Sequence, residues 1–167
     1  MIYTKTLKGG CLREYLTDEK RAQLLKEYYF PHHKLLEGQL RSALSRFGKA
    51  LIIDCHSFPS RPFPYEQDQL SRRPDICIGT DSFHTPRRLS TEVMNFFRDL
   101  GYTVARDLPF SGSLVPQWYY RQERGVTSIM IEVNRALYMD EVTGSKKSSF
   151  YEVRRVLQKL IRLLGES

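Results

Sequence analysis

No apolar run in this chain reaches the ~18 residues that a membrane-spanning helix requires, and no signal peptide is recognisable at its start. Cysteine is scarce. Cys11, Cys55 and Cys77 are the three present, and none stands in CxxC spacing. An odd count without paired spacing argues against a disulfide framework and for free thiols in a reducing cytoplasm, the expected location. The chain also lacks HExxH, a phosphate-binding glycine loop and a Gly-x-Ser-x-Gly elbow, so the most common zinc-protease, nucleotide-binding and serine-hydrolase signatures are excluded. No internal repeat and no linker interrupt its 167 residues. One domain spanning residues 1–167 is expected, large enough for a core of its own.

What is present is an ordinary soluble composition, 41% hydrophobic, with a net charge of +7. That balance calls for an anionic partner to be considered. The cations are scattered, however: Lys20, Arg21, Lys26, Lys34, Arg41 and Arg46, then the pairs Arg72-Arg73, Arg87-Arg88, Lys146-Lys147 and Arg154-Arg155. Scattering of this kind marks solvated helix faces, and a nucleic-acid surface is not expected.

Hydrophobic periodicity places the elements. The stretch through "TKTLKGG" reads as an extended segment and turn. A helix starts at Thr17, which can cap it, with Asp18 and Glu19 in the first turn. Pro31 interrupts or kinks it, and Leu35, Leu36, Leu40, Leu44 and Phe47 carry it on to a stop at Gly48. "ALIID" is a continuously apolar run suited to a central strand. Phe58 to Pro74, rich in Pro, Arg and Gln, reads as a long functional loop. "DICIG", "YTVARD" and "SIMIEVN" read as further strands, with helices over Thr85 to Leu100 and Phe150 to Leu164. The order is helix, strand, loop, strand, helix, strand, loop, strand, helix. It predicts an α/β three-layer sandwich around a mixed, mostly parallel sheet.

Sites in such sheets gather at strand ends. Three strands here carry polar clusters: Asp54-Cys55-His56-Ser57, then Asp75 with Gly79-Thr80-Asp81, then Glu132-Val133-Asn134-Arg135. If the strands bearing His56 and Glu132 are parallel neighbours, both side chains project from one edge. A neutral imidazole is a good zinc ligand, and a carboxylate beside it suits a general base. Arg135 is suited to a bidentate grip on a substrate carboxylate. Blander readings stand beside these: a packed histidine, and an Asn-supported strand end with a surface ion pair.

"EYYFPHHKLL", "LIIDCHSFPS", "PDICIGT", "LPFSGSLVP" and "SIMIEVNRALYMD", in that order, resemble the N-formylglutamate amidohydrolase family over nearly the whole chain. The resemblance implies a zinc-carboxypeptidase-like hydrolase fold and metal-dependent removal of an N-acyl, formyl-type group from an acidic amino acid. It implies zinc held by His56, catalysis by Glu132, and support from Asp54 and Asp75. Arg135, Asn134, Arg61, Ser57, Ser111 and Gly112 are the implied substrate-binding residues, and the partner is a small anionic N-acyl amino acid. Relatives carry a further amino-terminal segment with additional zinc ligands, so this chain reads as truncated at its start, with an incomplete metal site. His33 and His84 are possible replacements. As plain structure, His33 reads as a helix residue packed on the sheet and His84 as an exposed loop residue. Cys55, alternating away from His56, reads as a core residue. A shortened, catalytically inactive member that binds an anion or a protein is the alternative, and an open sheet edge offers a route to homo-oligomers.

Overall fold

Ala50–Phe58 forms strand β1 and Val126–Asn134 forms β4, and their pairing organises the sheet. Two shorter strands complete it, β2 at Ile76–Gly79 and β3 at Val104–Arg106. The order across the sheet is β1-β4-β2-β3. β1 runs parallel to β4 and β2 parallel to β3, while β2 is antiparallel to β4. This is a mixed sheet with helices, of the α/β class that the order of elements implies.

The computed structural model describes residues 4–6, 9–13, 16–64, 66, 68–69 and 72–166. They fall in two compact units, Met1–Gly48 and Lys49–Ser167. In the first unit, helix α1 spans Asp18–Leu24 and is capped by Thr17, whose hydroxyl accepts from the Lys20 N–H at 3.2 Å. A π-helical turn, Leu25–Tyr29, leads into α2, Phe30–Phe47. Pro31 sits at the start of α2, where a missing N–H costs little, so the proline marks a change of helical winding and not a break. Gly48, at φ 68°, ends α2 in the left-handed conformation and donates to Leu44 O at 2.8 Å. Lys5 bridges Cys11 in the amino-terminal turn; Leu7 and Lys8 of that turn lie outside the described residues.

The second unit holds the sheet, α3 (Arg87–Asp99) and α4 (Phe150–Gly165). Alternation divides the sheet into two unlike faces. Ile76, Ile78, Ile129, Ile131 and Val133 share a buried cluster with Val93, Met94 and Phe97 of α3 and Val153 and Leu160 of α4. Both helices therefore cover the same face. Burying each such aliphatic side chain is worth about 1.5–3 kcal/mol. The segment Phe110–Pro116 crosses the opposite face. There Cys77 donates to Phe110 O at 3.2 Å, and the Ser128 hydroxyl donates to Leu114 O at 2.8 Å.

The crossing segment approaches so closely that a Cβ at Gly79 would lie 2.4 Å from Gly112 O and 2.3 Å from Met130 Cε. At Gly38, within α2, a Cβ would meet nothing within 4 Å. Gly79→Ala is expected to cost about 1–3 kcal/mol by overpacking, whereas Gly38→Ala is expected to add about 0.5–1 kcal/mol. Urea unfolding of the two variants measures both.

Candidate functional site

Parallel register places His56 directly beside Glu132, Asp54 beside Met130 and Phe58 beside Asn134. β1 does not stop at its polar residues but carries them to Phe58. Asp54, His56, Glu132 and Asn134 consequently share the face turned away from α3 and α4. On the far side of Glu132, Cys77 is its antiparallel partner.

His56 Nε2 stands 2.9 Å from Asp54 Oδ1. A carboxylate accepts, so His56 Nε2 donates in this contact, and in the neutral ring the lone pair then lies on Nδ1. Asp54 is itself held, since its Oδ2 accepts the Leu114 N–H at 3.2 Å. The imidazole is half exposed, with 51% of its side chain open to solvent. Glu132 is different: it is 7% exposed, and its Oε2 has no hydrogen-bond partner among the described residues. Burial raises its carboxyl above the ordinary 4.5; the charges of His56 and Arg135 oppose that rise and Asp54 adds to it. An unpaired, buried carboxylate oxygen facing an imidazole is a group without a structural partner, which is where function is sought.

The walls come from two loops. Ser111 is exposed and Gly112, at φ 90°, is half-buried in the segment that crosses the sheet face. Arg73, from the loop after β1, has a fully buried side chain paired with Glu66, and it donates to Pro59 O at 3.1 Å. Its guanidinium lies 5.8 Å from the Phe58 ring centroid and 5.7 Å from that of Phe110. Arg73 thus fastens one wall to the other, a role hidden within a scattered set of cations. Its signal was an arginine beside Pro74 in a loop containing two acids, Glu66 and Asp68. Tyr65, Gln67, Leu70 and Ser71 of this loop lie outside the described residues.

Several expected site residues prove to be committed elsewhere. Asn134 donates to Pro74 O at 3.0 Å and accepts from the Ala136 N–H at 3.1 Å, so it supports the strand end. Ser57 alternates onto the helix-covered face, where its hydroxyl accepts from Arg135 Nε at 3.2 Å. Arg135 Nη2 also donates to Ser57 O at 3.1 Å, so one side of its fork is engaged with Ser57. The Asp75 carboxylate accepts from the Thr103 N–H and hydroxyl at 2.8 and 2.7 Å, away from His56. Arg61 is exposed and makes no hydrogen bond or ion pair with a described residue. Because β2 runs opposite to β4, Thr80 and Asp81 leave from the other end of the sheet; Thr80 bonds Asp107, and Asp81 caps Phe83 and His84.

His84 is not an exposed loop residue but 1% exposed. Its Nδ1 faces Val126 O at 2.8 Å, and its Nε2 accepts the Arg121 N–H at 2.8 Å, which occupies both nitrogens. Cys55 is exposed, not a core residue. β1 is an edge strand, and the helix-covered face is left open beside it. His33 stacks on Tyr29, centroids 4.0 Å apart, in the first unit.

The donor set does not by itself suit zinc. A hydrolytic zinc site needs about three protein ligands and a water. Among the described residues no group of three or more His, Cys, Asp or Glu side chains stands close enough to hold a metal ion. His56 contributes one lone pair, and these residues alone do not fit the ion.

The mixed sheet, with His56 level with a buried Glu132 on the face away from α3 and α4, defines an α/β fold with a polar strand-end site. Residues 1–139 match the family model for N-formylglutamate amidohydrolase, and the chain belongs to that family. It is 28% identical over 125 residues to an N-formylglutamate deformylase of Pseudomonas aeruginosa and 25% identical to one of Pseudomonas putida. Each alignment covers 74% of this chain and 46% of the relative, so the chain spans about half the length of the curated relatives it matches. The crystal structure of N-formylglutamate amidohydrolase from Ralstonia eutropha superposes with a TM-score of 0.82 at 27% identity, over 95% of this chain and 57% of that one. An Agrobacterium tumefaciens gene product shares the fold, with a TM-score of 0.61 at 18% identity over 81% of this chain and 51% of that one. Among the described residues no helix is long and apolar enough to cross a membrane.

The raised Glu132 carboxyl sets a sign for stability. Below 4.5 both folded and unfolded chains hold the proton. Above it the unfolded chain releases the proton first, so Glu132 lowers folding stability as pH rises, until the folded carboxyl also titrates. Glu132→Gln is expected to be more stable than the parent chain at pH 7, with the difference vanishing below pH ~4. Urea midpoints across that range measure it.

Proposed function

We propose that this chain carries the proton-transfer side of an amidohydrolase centre that removes the formyl group from N-formylglutamate. The observation that carries this reading is Glu132, buried, unpaired at Oε2 among the described residues and level with His56. The family and the activities for which the Pseudomonas and Ralstonia proteins are named supply the substrate.

In the reaction, water adds to the formyl carbonyl and the C–N bond breaks, giving formate and glutamate. Glu132 takes the water proton and returns it to the departing amine nitrogen. A carboxyl whose affinity for protons is increased by burial suits a group that must both accept and give one. Asp54 keeps the His56 ring turned so that Nδ1 is the free nitrogen. The charge of Arg135, with Nη1 uncommitted, and that of exposed Arg61 attract the substrate carboxylates. Zinc would act as the family's electrophile only with donors beyond those of the described residues, and no step is assigned to it.

A second reading is favoured by the same shortage of donors: a non-catalytic family member that binds a small anion or a protein partner. Turnover of N-formyl-L-glutamate separates the two. The parent chain is expected to release formate, and Glu132→Gln and His56→Ala to be slower by about 10²–10⁴-fold. Absence of turnover in well-folded parent protein would favour the binding reading.

A further inference from the structure

The segment Phe110–Pro116, which crosses the face bearing Glu132, pairs its polar groups with the sheet one by one. Cys77 donates to Phe110 O, the Ser128 hydroxyl donates to Leu114 O, and the Leu114 N–H donates to Asp54. Ser113 departs from this pattern. Its hydroxyl oxygen is buried and has no hydrogen-bond partner among the described residues. Glu132 Oε2, on the same side of the sheet, is in the same condition. Native structures pair nearly all buried polar groups, and an alanine in place of Ser113 would avoid the cost of an unmade hydrogen bond. A hydroxyl kept there without a structural partner points to a ligand.

Register fixes how far apart the two oxygens' residues stand. The crossing chain passes over Gly79 at Gly112 and reaches Asp54 at Leu114. Met130 is the strand partner of both Gly79 and Asp54. Ser113 therefore lies over Met130, two residues along β4 from Glu132, a separation of about 7 Å. In the deformylase reading Glu132 returns a proton to the amide nitrogen, so that nitrogen sits beside Glu132. The formyl group and the α-carboxylate lie too close to the nitrogen to span such a distance. The side-chain carboxylate of the glutamate, at the far end of its chain, has the reach.

We infer that Ser113 is a specificity-determining residue of this site, its hydroxyl donating to the side-chain carboxylate of N-formylglutamate. A carboxylate only accepts and a hydroxyl has one proton to donate, so the pair is matched, and the acceptor's charge strengthens the bond. Ser113 as a whole is half-buried, so rotation about χ1 turns the hydroxyl from its enclosed position toward a ligand. The inference rests on the deformylase reading for the group held at Glu132, and on the unpartnered hydroxyl for its position.

The test uses the full chain in a Glu132→Gln background, where slow formate release leaves the ligand intact, with and without Ser113→Ala. Calorimetric titration compares N-formyl-L-glutamate with N-formyl-L-norvaline, whose side chain ends in a methyl group in place of the carboxylate. Ser113→Ala is expected to bind N-formylglutamate about tenfold more weakly, to bind N-formylnorvaline as before, and to keep or raise the urea midpoint. Equal affinity for N-formylglutamate with and without the hydroxyl would overturn the inference. Equal weakening for both ligands would overturn it too, because the hydroxyl would then act on the shape of the site alone. A lowered urea midpoint would assign the hydroxyl a structural partner, with the same result. Failure of the Ser113 chain to bind N-formylglutamate removes the inference and the deformylase reading together. The two otherwise separate cleanly. Ser113-dependent binding by a parent chain that releases no formate sinks the deformylase reading and leaves Ser113 as a carboxylate-binding residue. Formate release that Glu132→Gln slows, with an affinity that ignores Ser113, does the reverse.

Discussion

The parallel pairing of β1 with β4, in the register that sets His56 beside Glu132, is the constraint on which everything else depends. Side chains on a strand alternate, so a slip of one residue would send the imidazole to the helix-covered face and bring Cys55 opposite the carboxylate. Register is held by Ile129, Ile131 and Val133, whose burial against α3 and α4 would be lost in any such slip. The aliphatic half of β4 thus aims its polar half. The site is a consequence of the core.

A buried carboxylate with an unpaired oxygen is costly to keep. The surrounding structure offsets that cost through rigidity. Gly79 lets the crossing segment lie against the sheet backbone, and Leu114 holds Asp54. Arg73 joins Pro59 to the rings of Phe58 and Phe110. On the outer side of β1 no such closure exists among the described residues. The half-exposed imidazole, the open thiol of Cys55 and the apolar cleft beside α4 all belong to that margin.

The order of elements was legible because long apolar runs and helical stripes are strong signals, and the class of fold followed from alternation of strands and helices. The convergence of "DCHS" with "IEVNR" was legible only on the condition that two distant strands are parallel neighbours, which sequence period alone does not determine. Strand direction misled the reading of Thr80 and Asp81, since β2 runs antiparallel to β4 and carries them to the other end of the sheet. Side-chain commitments were hidden for a simpler reason. Asn134, Ser57 and Asp75 are polar residues at strand ends, where binding a ligand and satisfying a neighbouring backbone group look alike in one dimension. His84 and Cys55 exchanged their expected environments because burial depends on which elements lie above a residue. His84 fits between Val126 and Arg121, while Cys55 sits at an uncovered margin.

The central claim is that the Glu132 carboxylate is buried within electrostatic reach of the His56 imidazole. Carbon-detected NMR titration of the Glu132 side chain tests it directly, in the parent chain and in His56→Ala. The account predicts a midpoint above 4.5, displaced further upward when the imidazole is removed, because Arg135 is then left to oppose burial without it. A carboxyl that titrates at its ordinary value and ignores the substitution would contradict it.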